Sequence, residues 1–319
     1  MKILVIGGSY FLGGAFTLIA SKEHELTLLN RGTYSMARYG VKEYKADRRD
    51  AKALQSIPEE HYDAVVDFCA YEPRDIKLIV ENIKGVSNLI EKYIFISTVD
   101  VYKRQVGYVK NEHAPIESTK HRGKNGEYIY KKVCLEKELA KMCDTIGTDY
   151  TIIRPSIIYG PNDYSRRVET FIKMASYGIP IRYPKNSKAY FQMVYVKDIV
   201  EAILGACKLN RFDGYNAYNI CPDEPIHYEE FMQVLSEVSE VPVKLQPISE
   251  EQAIKEAIDI EGKNIVEILK EAVEGKVYLP FPVTEEEHEL YTGGRAEKEF
   301  NISYTSLLEG MKKTYSCFK

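Results

Sequence analysis

Tyr128 and Lys132 stand four residues apart in a stretch, Tyr128 to Cys143, whose composition reads as helix. A helix stacks such a pair on one face about one turn apart. That placement has a chemical use: a phenol titrating near ~10 is a poor base at neutral pH, whereas a neighbouring ammonium stabilises its phenolate. Tyr128 can then take a proton from a substrate alcohol. In a chain with 25 tyrosines the same spacing also arises by chance on a solvated helix face, so its setting matters. Thr98 supplies that setting. It follows Tyr93-Ile94-Phe95-Ile96-Ser97, an apolar run that reads as a buried strand, and ligands of open α/β sheets bind at the C-terminal ends of such strands. Its hydroxyl would hold the reacting oxygen. Ser97 is the adjacent alternative, because side chains alternate along a strand and only one of the two faces a cleft. The plainer role for either is a strand-end hydroxyl capping a turn.

Positioning these groups requires a sheet, and its first strand opens the chain. Lys2 to Ile6 is a short apolar run, followed by Gly7-Gly8-Ser9-Tyr10-Phe11-Leu12-Gly13 and a helix-compatible stretch from Gly13 to Ser21. A turn between strand and helix that begins and ends on glycine lets a phosphate approach the backbone and meet helix N–H groups. Its position gives this string the context of a dinucleotide site, and a cationic nicotinamide would further favour the Tyr128 phenolate. The second apolar run ends at Leu29-Asn30-Arg31-Gly32, where an NAD enzyme usually carries an acid for the ribose hydroxyls. Asn30 removes the carboxylate that would repel a 2′-phosphate and Arg31 can pair with one, so the cofactor is read as NAD(P) with a lean to NADP. The alternative for Arg31 is a solvated loop charge. In Ala46-Asp47-Arg48-Arg49-Asp50, where Asp47 and Arg48 are candidate cofactor residues, an aspartate can bond an adenine amino group, or Asp47 or Asp50 can cap a helix.

Asp63 to Phe68 and Tyr93 to Ser97 read as buried strands around a helix from Arg74 to Lys84, and Thr151 to Ile153 as the next strand. This alternation predicts an α/β fold, a doubly wound parallel Rossmann sheet covered on both faces. We read residues 1–163 as the NAD(P)-binding domain, with 190–215 returning to it. Residues 164–189 and 216–319 then form a smaller C-terminal α/β substrate-binding domain. Lys103 to Gly126 is polar and basic, without hydrophobic period, and reads either as a functional or mobile loop or as plain surface. Glu250 to Gly275 is acidic and helix-forming, ending before Pro280-Phe281-Pro282.

A formal net charge of −4 argues against nonspecific attraction to nucleic acid. The six cysteines lack metal-site spacing, so no metal is expected and the thiols are read as reduced in a cytoplasmic protein. The apolar opening, broken by glycines, reads as neither a signal peptide nor a membrane span. Tyr71, Tyr102, Tyr164, Arg167 and Tyr195 are candidate substrate residues, with an ordinary surface role as the alternative for each.

Taken in order, Gly7 to Gly13, Ser97-Thr98-Val99-Asp100-Val101-Tyr102, Tyr128 with Lys132 and Glu136, and Arg154-Pro155-Ser156-Ile157-Ile158-Tyr159-Gly160-Pro161 resemble the extended short-chain dehydrogenase/reductase superfamily. The resemblance is to its atypical members in the NAD-dependent epimerase/dehydratase branch and covers nearly the whole chain. It implies Thr98, Tyr128 and Lys132 as a catalytic triad, Lys132 also binding the nicotinamide ribose. It places Phe68, Cys69 and Ala70 against the cofactor, Pro155 to Ile157 beside the nicotinamide, and a homodimer through the Arg74 and Tyr128 helices. Three departures stand out. Tyr10 replaces the central glycine, as in relatives of the chloroplast stem-loop RNA-binding proteins; the gap from Thr98 to Tyr128 is long; and Val99-Asp100 stands where sugar dehydratases carry Asp-Glu. The expected function is epimerisation of a nucleotide-linked sugar by proton and hydride transfer. The alternatives are an NAD(P)H-dependent reductase of a small carbonyl compound and a non-catalytic, cofactor-bound regulator or RNA-binding protein.

Overall fold

The apolar strands are nearly unbroken in sequence because both of their faces are covered. The computed structural model describes residues 1–209 and 216–318. Its main sheet is built from β1 (Lys2–Ile6), β2 (Glu25–Asn30), β3 (Lys42–Lys45), β4 (Ala64–Asp67), β5 (Lys92–Ile96), β7 (Asp149–Pro155) and β11 (Ala217–Ile220); the short β6 (Val109–Lys110) lies outside it. All seven run parallel in the order β11-β7-β5-β4-β1-β2-β3. The strand order reverses direction between β1 and β4, the switch point at which such sheets open a crevice. Ile3, Val5, Leu28, Val66, Ile94 and Ile153 pack into one core, while their neighbours Leu4, Ile6, Leu29, Val65, Tyr93 and Ile152 pack into the other. That is the two-residue alternation of a strand with no solvent face.

The helices follow the same division. On one side, α1 (Phe11–Ala20) packs against α7 (Val196–Lys208); on the other, α2 (Ala51–Gln55), α3 (Pro73–Asn82) and α5 (Gly123–Ile146) form the cover, with α4 (Lys84–Leu89) beside α3. Pro73 at the first turn and the Glu72–Asp75 capping box fix the start of α3. β11 gives the sheet a strand from the 216–319 stretch that was expected to lie wholly in the substrate-binding part. Residues 210–215, the end of the expected 190–215 return, lie outside the described residues.

The remainder is mixed. β8 (Ile157–Tyr159) pairs with β10 (Met193–Tyr195), and β9 (Ile181–Pro184) with β12 (Leu245–Ile248). These surround an aromatic core in which Phe281 stacks on Phe191 at 4.5 Å and meets Phe231 at 5.2 Å. α6 (Arg167–Ser176) and α8 (Tyr228–Val238) supply Phe171 and Phe231 to it. The acidic stretch forms two helices, α9 (Glu250–Lys255) and α10 (Ile265–Val273), the second opened by an Asn264–Glu267 capping box. β13 (Leu290–Tyr291), α11 (Gly294–Phe300) and α12 (Leu307–Ser316) complete the chain.

The basic 103–126 stretch is a stitched excursion. β6 pairs in parallel with β13; Lys110 is fully buried on Glu289; Arg104 donates to the Glu286 carbonyl; and Lys124 pairs with Glu261. Among the described residues no helix is long and apolar enough to cross a membrane.

Candidate functional site

At the glycine turn the backbone comes too close for side chains. Gly7 adopts φ 84°, and a Cβ there would sit 2.8 Å from the Cys69 sulfur. A Cβ on Gly13 would lie 2.2 Å from the Gly7 carbonyl oxygen, so the helix packs directly on the turn. Thr17 locks this shape by donating its hydroxyl proton to the Gly8 carbonyl at 2.7 Å. α1 begins at Phe11, two residues before the expected start, and its first turn carries no acid. Its N-terminus is therefore suited to an anion. Ser9 lies in the turn, Leu12 faces the core, and Tyr10 is exposed and stacks on Tyr34 at 5.7 Å. Phe11, with φ 42°, meets Tyr164 edge-on across the crevice.

The ribose end differs from the sequence expectation in one respect. Asn30 is engaged, its oxygen accepting the Gly32 N–H at 2.8 Å and its amide donating to Glu43 at 3.4 Å. Glu43, which sequence reading missed, supplies a carboxylate to this neighbourhood from β3. Burial opposes its charge, but hydrogen bonds from the Met36 N–H, Ser35 and Asn30 outweigh that and hold its pKa below the usual range. Arg31 is exposed beside it. Asp50 caps α2 through the N–H groups of Lys52 and Ala53, whereas the exposed Asp47 accepts, among the described residues, only from the Arg49 N–H, leaving capacity for a ligand. Arg48 is engaged within the protein. Its buried guanidinium pairs with both oxygens of Asp67 at 2.7 and 2.8 Å and with the Asp75 carbonyl, so its side chain braces the crevice floor. Phe68 and Cys69 are half-buried after β4, Cys69 under Gly7, and Ala70 is buried.

Across the switch point, Thr98 and Tyr128 line a cleft of about 370 Å³ together with Pro155 and Ile157. Lys132 lies beneath it, 5.9 Å from the centre of the Tyr128 ring, with Nζ donating to the Ile96 carbonyl at 2.9 Å and the Ala70 carbonyl at 3.4 Å. Burial, only partly offset by Asp67 and Glu136, lowers its pKa to about 8. Burial and the Asp100 charge push the Tyr128 phenol well above its ordinary value. Forming phenolate there calls for added positive charge. Ser97 and Thr98 have separate duties. Ser97 donates to Glu136 at 2.6 Å, joining a buried network in which Glu136 binds Arg154 through two bonds. Thr98 donates to Asp100 Oδ2 at 3.0 Å and accepts the Asp100 N–H at 3.2 Å.

Of the substrate candidates, Tyr164 and Arg167 line the cleft, and the exposed Tyr71 lies with its ring 5.7 Å from Lys132 Nζ. Tyr102 and Tyr195 do not reach it. The Tyr102 hydroxyl is buried between Asn219 and Arg154, and Tyr195 is buried against Tyr159 at the start of α7. Asp100 was missed as a cleft residue, although it sits inside a motif already singled out, while Ser156 falls in the Pro155 to Ile157 stretch expected there. The Ser156 hydroxyl is buried without a hydrogen-bond partner among the described residues, the kind of atom a bound group satisfies. With the glycine cradle, it makes the crevice fit a dinucleotide. A possible metal grouping among the described residues, His61, Asp63 and Glu91, lies at the opposite ends of the strands.

The fold recurs in known proteins. A protein of Arabidopsis thaliana, the chloroplast stem-loop binding protein of 41 kDa b, is 30% identical over 220 residues, a match spanning 64% of this chain and 54% of that relative. The chain thus spans about half the length of this curated relative. Among solved structures, UDP-glucose 4-epimerase from Thermotoga maritima superposes with a TM-score of 0.71 at 20% identity, covering 100% of this chain and 98% of that one. The dTDP-glucose 4,6-dehydratase of Bacillus anthracis, solved with NAD, gives 0.73 at 16% identity over 100% and 96%. The family model for the NAD dependent epimerase/dehydratase family matches residues 3–221, from the first strand through the last strand of the sheet, and the chain belongs to that family.

Proposed function

We propose that this protein is an NAD(P)-dependent epimerase or related oxidoreductase acting on a nucleotide-linked sugar. The observation that carries the reading is the convergence of Thr98, Tyr128 and the buried Lys132 on one cleft across the switch point from the glycine cradle. A bound nicotinamide supplies one chemical capability, accepting a hydride and returning it. The protein does the rest. Lys132 brings positive charge beneath the phenol, Tyr128 takes the proton of the substrate hydroxyl, and Thr98 holds the same oxygen. Arg167, at the first turn of α6, lies where a phosphate of the substrate would find both a guanidinium and helix N–H groups. Arg31 beside Asn30 favours NADP, whereas the Glu43 carboxylate bonded to Asn30 works against a 2′-phosphate.

One observation favours a second reading, an RNA-binding protein: the likeness to the stem-loop binding protein. Against it, the basic excursion has Lys110, Arg104 and Lys124 engaged with acids and a carbonyl of its own chain.

Calorimetric titration with NAD⁺, NADH, NADP⁺ and NADPH, followed by a panel of UDP-, GDP- and dTDP-sugars, tests the proposal. We expect binding of at least one cofactor and product formation lost in Tyr128→Phe. Product without net cofactor consumption marks an epimerase, and stoichiometric consumption a reductase. Arg31→Ala should weaken NADP(H) about tenfold and spare NAD(H), as expected for loss of one charge-assisted bond. Absence of all cofactor binding would refute the proposal and bring the RNA-binding reading forward.

A further inference from the structure

Thr98 has one hydroxyl proton and two lone pairs. Here the proton is given to Asp100 Oδ2 and one lone pair accepts the Asp100 N–H. What remains toward the cleft is a single acceptor. Such a group can receive an alcohol O–H, yet it has nothing to offer a carbonyl oxygen, which carries no proton. The substrate oxygen passes from one form to the other when its carbon is oxidised.

We propose that Asp100 is a positioning residue that sets the direction of the Thr98 hydroxyl, and thereby whether the site offers the substrate oxygen an acceptor or a donor. The inference rests on the proposed role of Thr98 at the reacting oxygen. When Asp100 is ionised, it captures the Thr98 proton. When it carries a proton, its own O–H donates to Thr98 Oγ1 and the Thr98 proton turns to the cleft. No proton is lost from Thr98 in either state; only its direction changes.

The surroundings of Asp100 allow both states. Its side chain opens on the cleft, where water reaches it, while protein closes in on the other sides. Around it stand Arg167 of α6, Lys110 of β6, Glu289 ahead of β13, Tyr291 of β13 and Tyr128 of α5. Lys110 and Glu289 neutralise each other as a pair, and no ion pair joins Asp100 to Arg167 among the described residues. Burial therefore prevails over the Thr98 bond and raises the carboxyl pKa. The ionised form also works against the Tyr128 phenolate, so the proton on Asp100 favours turnover twice.

The test begins without turnover. Aspartate labelled with ¹³C at its side-chain carboxyl is incorporated into the full chain, and the Asp100 resonance is assigned by its loss in Asp100→Asn. Its titration is then compared in wild type, Thr98→Val and Thr98→Ser, each saturated with whichever cofactor binds, or without one if none does. A hydroxyl donating to the carboxylate stabilises the charged form, so Thr98→Val should raise the midpoint by about one to two pH units, and Thr98→Ser should leave it in place. A midpoint unmoved in Thr98→Val overturns the proposal. The second arm uses any sugar of the panel that turns over. There kcat should fall as pH rises through the Asp100 midpoint, and Asp100→Ala should lose that limb with little change in KM. A limb surviving in Asp100→Ala overturns the proposal equally. If no sugar turns over, the nucleotide-sugar reading fails, and the labelled titration still decides the part played by Asp100.

Discussion

Lys132 should lower the stability of the protein it serves, by an amount that depends on pH. Its ammonium is almost fully buried with two carbonyls as acceptors, and its pKa falls from the 10.5 of a free lysine to about 8. At about 1.4 kcal/mol per unit, that difference corresponds to about 3–4 kcal/mol of folding free energy spent on holding the charge in place. The sign follows from proton counts. Below pH about 8 both folded and unfolded chains hold the proton, and the whole penalty is present; between about 8 and 10.5 only the unfolded chain holds it, so stability rises with pH; above 10.5 the penalty is gone. Lys132→Met keeps the length of the side chain and removes the titration. Urea unfolding of both proteins without cofactor, from about pH 7 to about pH 10.5, should show wild type gaining about 3 kcal/mol relative to the variant across that range. Subtracting the variant cancels the other lysines and tyrosines that titrate there. A difference between the two that stays constant with pH would mean that Lys132 ionises as a solvated lysine does, and would remove the basis for placing a tuned cation beneath Tyr128.

Two further substitutions probe the frame around the cleft. Gly13→Ala places a methyl group 2.2 Å from the Gly7 carbonyl oxygen and should weaken cofactor binding more than ~tenfold, whereas Gly14→Ala, whose added atom meets Ser9 at 3.4 Å, should bind normally and gain up to about 1 kcal/mol in stability; calorimetry and urea unfolding distinguish them. Glu136→Ala takes from the buried Arg154 its carboxylate and should cost about 3–5 kcal/mol. The double variant Glu136→Leu with Arg154→Met should lose less than either single change, as measured by urea unfolding, because it leaves no buried charge behind.

Much of this was legible in the sequence, for reasons that differ by residue. The strand–glycine–helix opening and the face shared by Tyr128 and Lys132 are local patterns, each written within a few residues. The expectation that only one of Ser97 and Thr98 faces the cleft did not hold, since both line it, the Ser97 hydroxyl bound to Glu136 and the Thr98 hydroxyl to Asp100. What could not be read depends on distant partners. Arg48 looked available because Asp67, which captures it, comes 19 residues later on another strand. Tyr102 looked like a cleft residue, yet Arg154 and Asn219 bury its hydroxyl from 52 and 117 residues away. Lys110 looked solvated with the rest of its basic stretch because Glu289, which neutralises it, comes 179 residues later. Glu43 was overlooked for a simpler reason: the acid expected at the end of β2 stands on the adjoining strand.

The pairing of Val109–Lys110 with Leu290–Tyr291 also orders events during synthesis. A ribosome delivering this chain presents the glycine turn, Thr98, Tyr128 and Lys132 early, but Glu289 follows Lys110 by 179 residues. Until that later segment emerges, Lys110 has no carboxylate to neutralise it, and the wall carrying Glu289 and Tyr291 is missing. The nucleotide half of the crevice can therefore be complete while the substrate half is still open, since pairings so far apart in sequence are the slowest to close. A nascent chain stalled before residue 285 would hold a cofactor cradle without a substrate chamber, and the segment carrying Glu289 and Tyr291 would be the one that completes the enclosure.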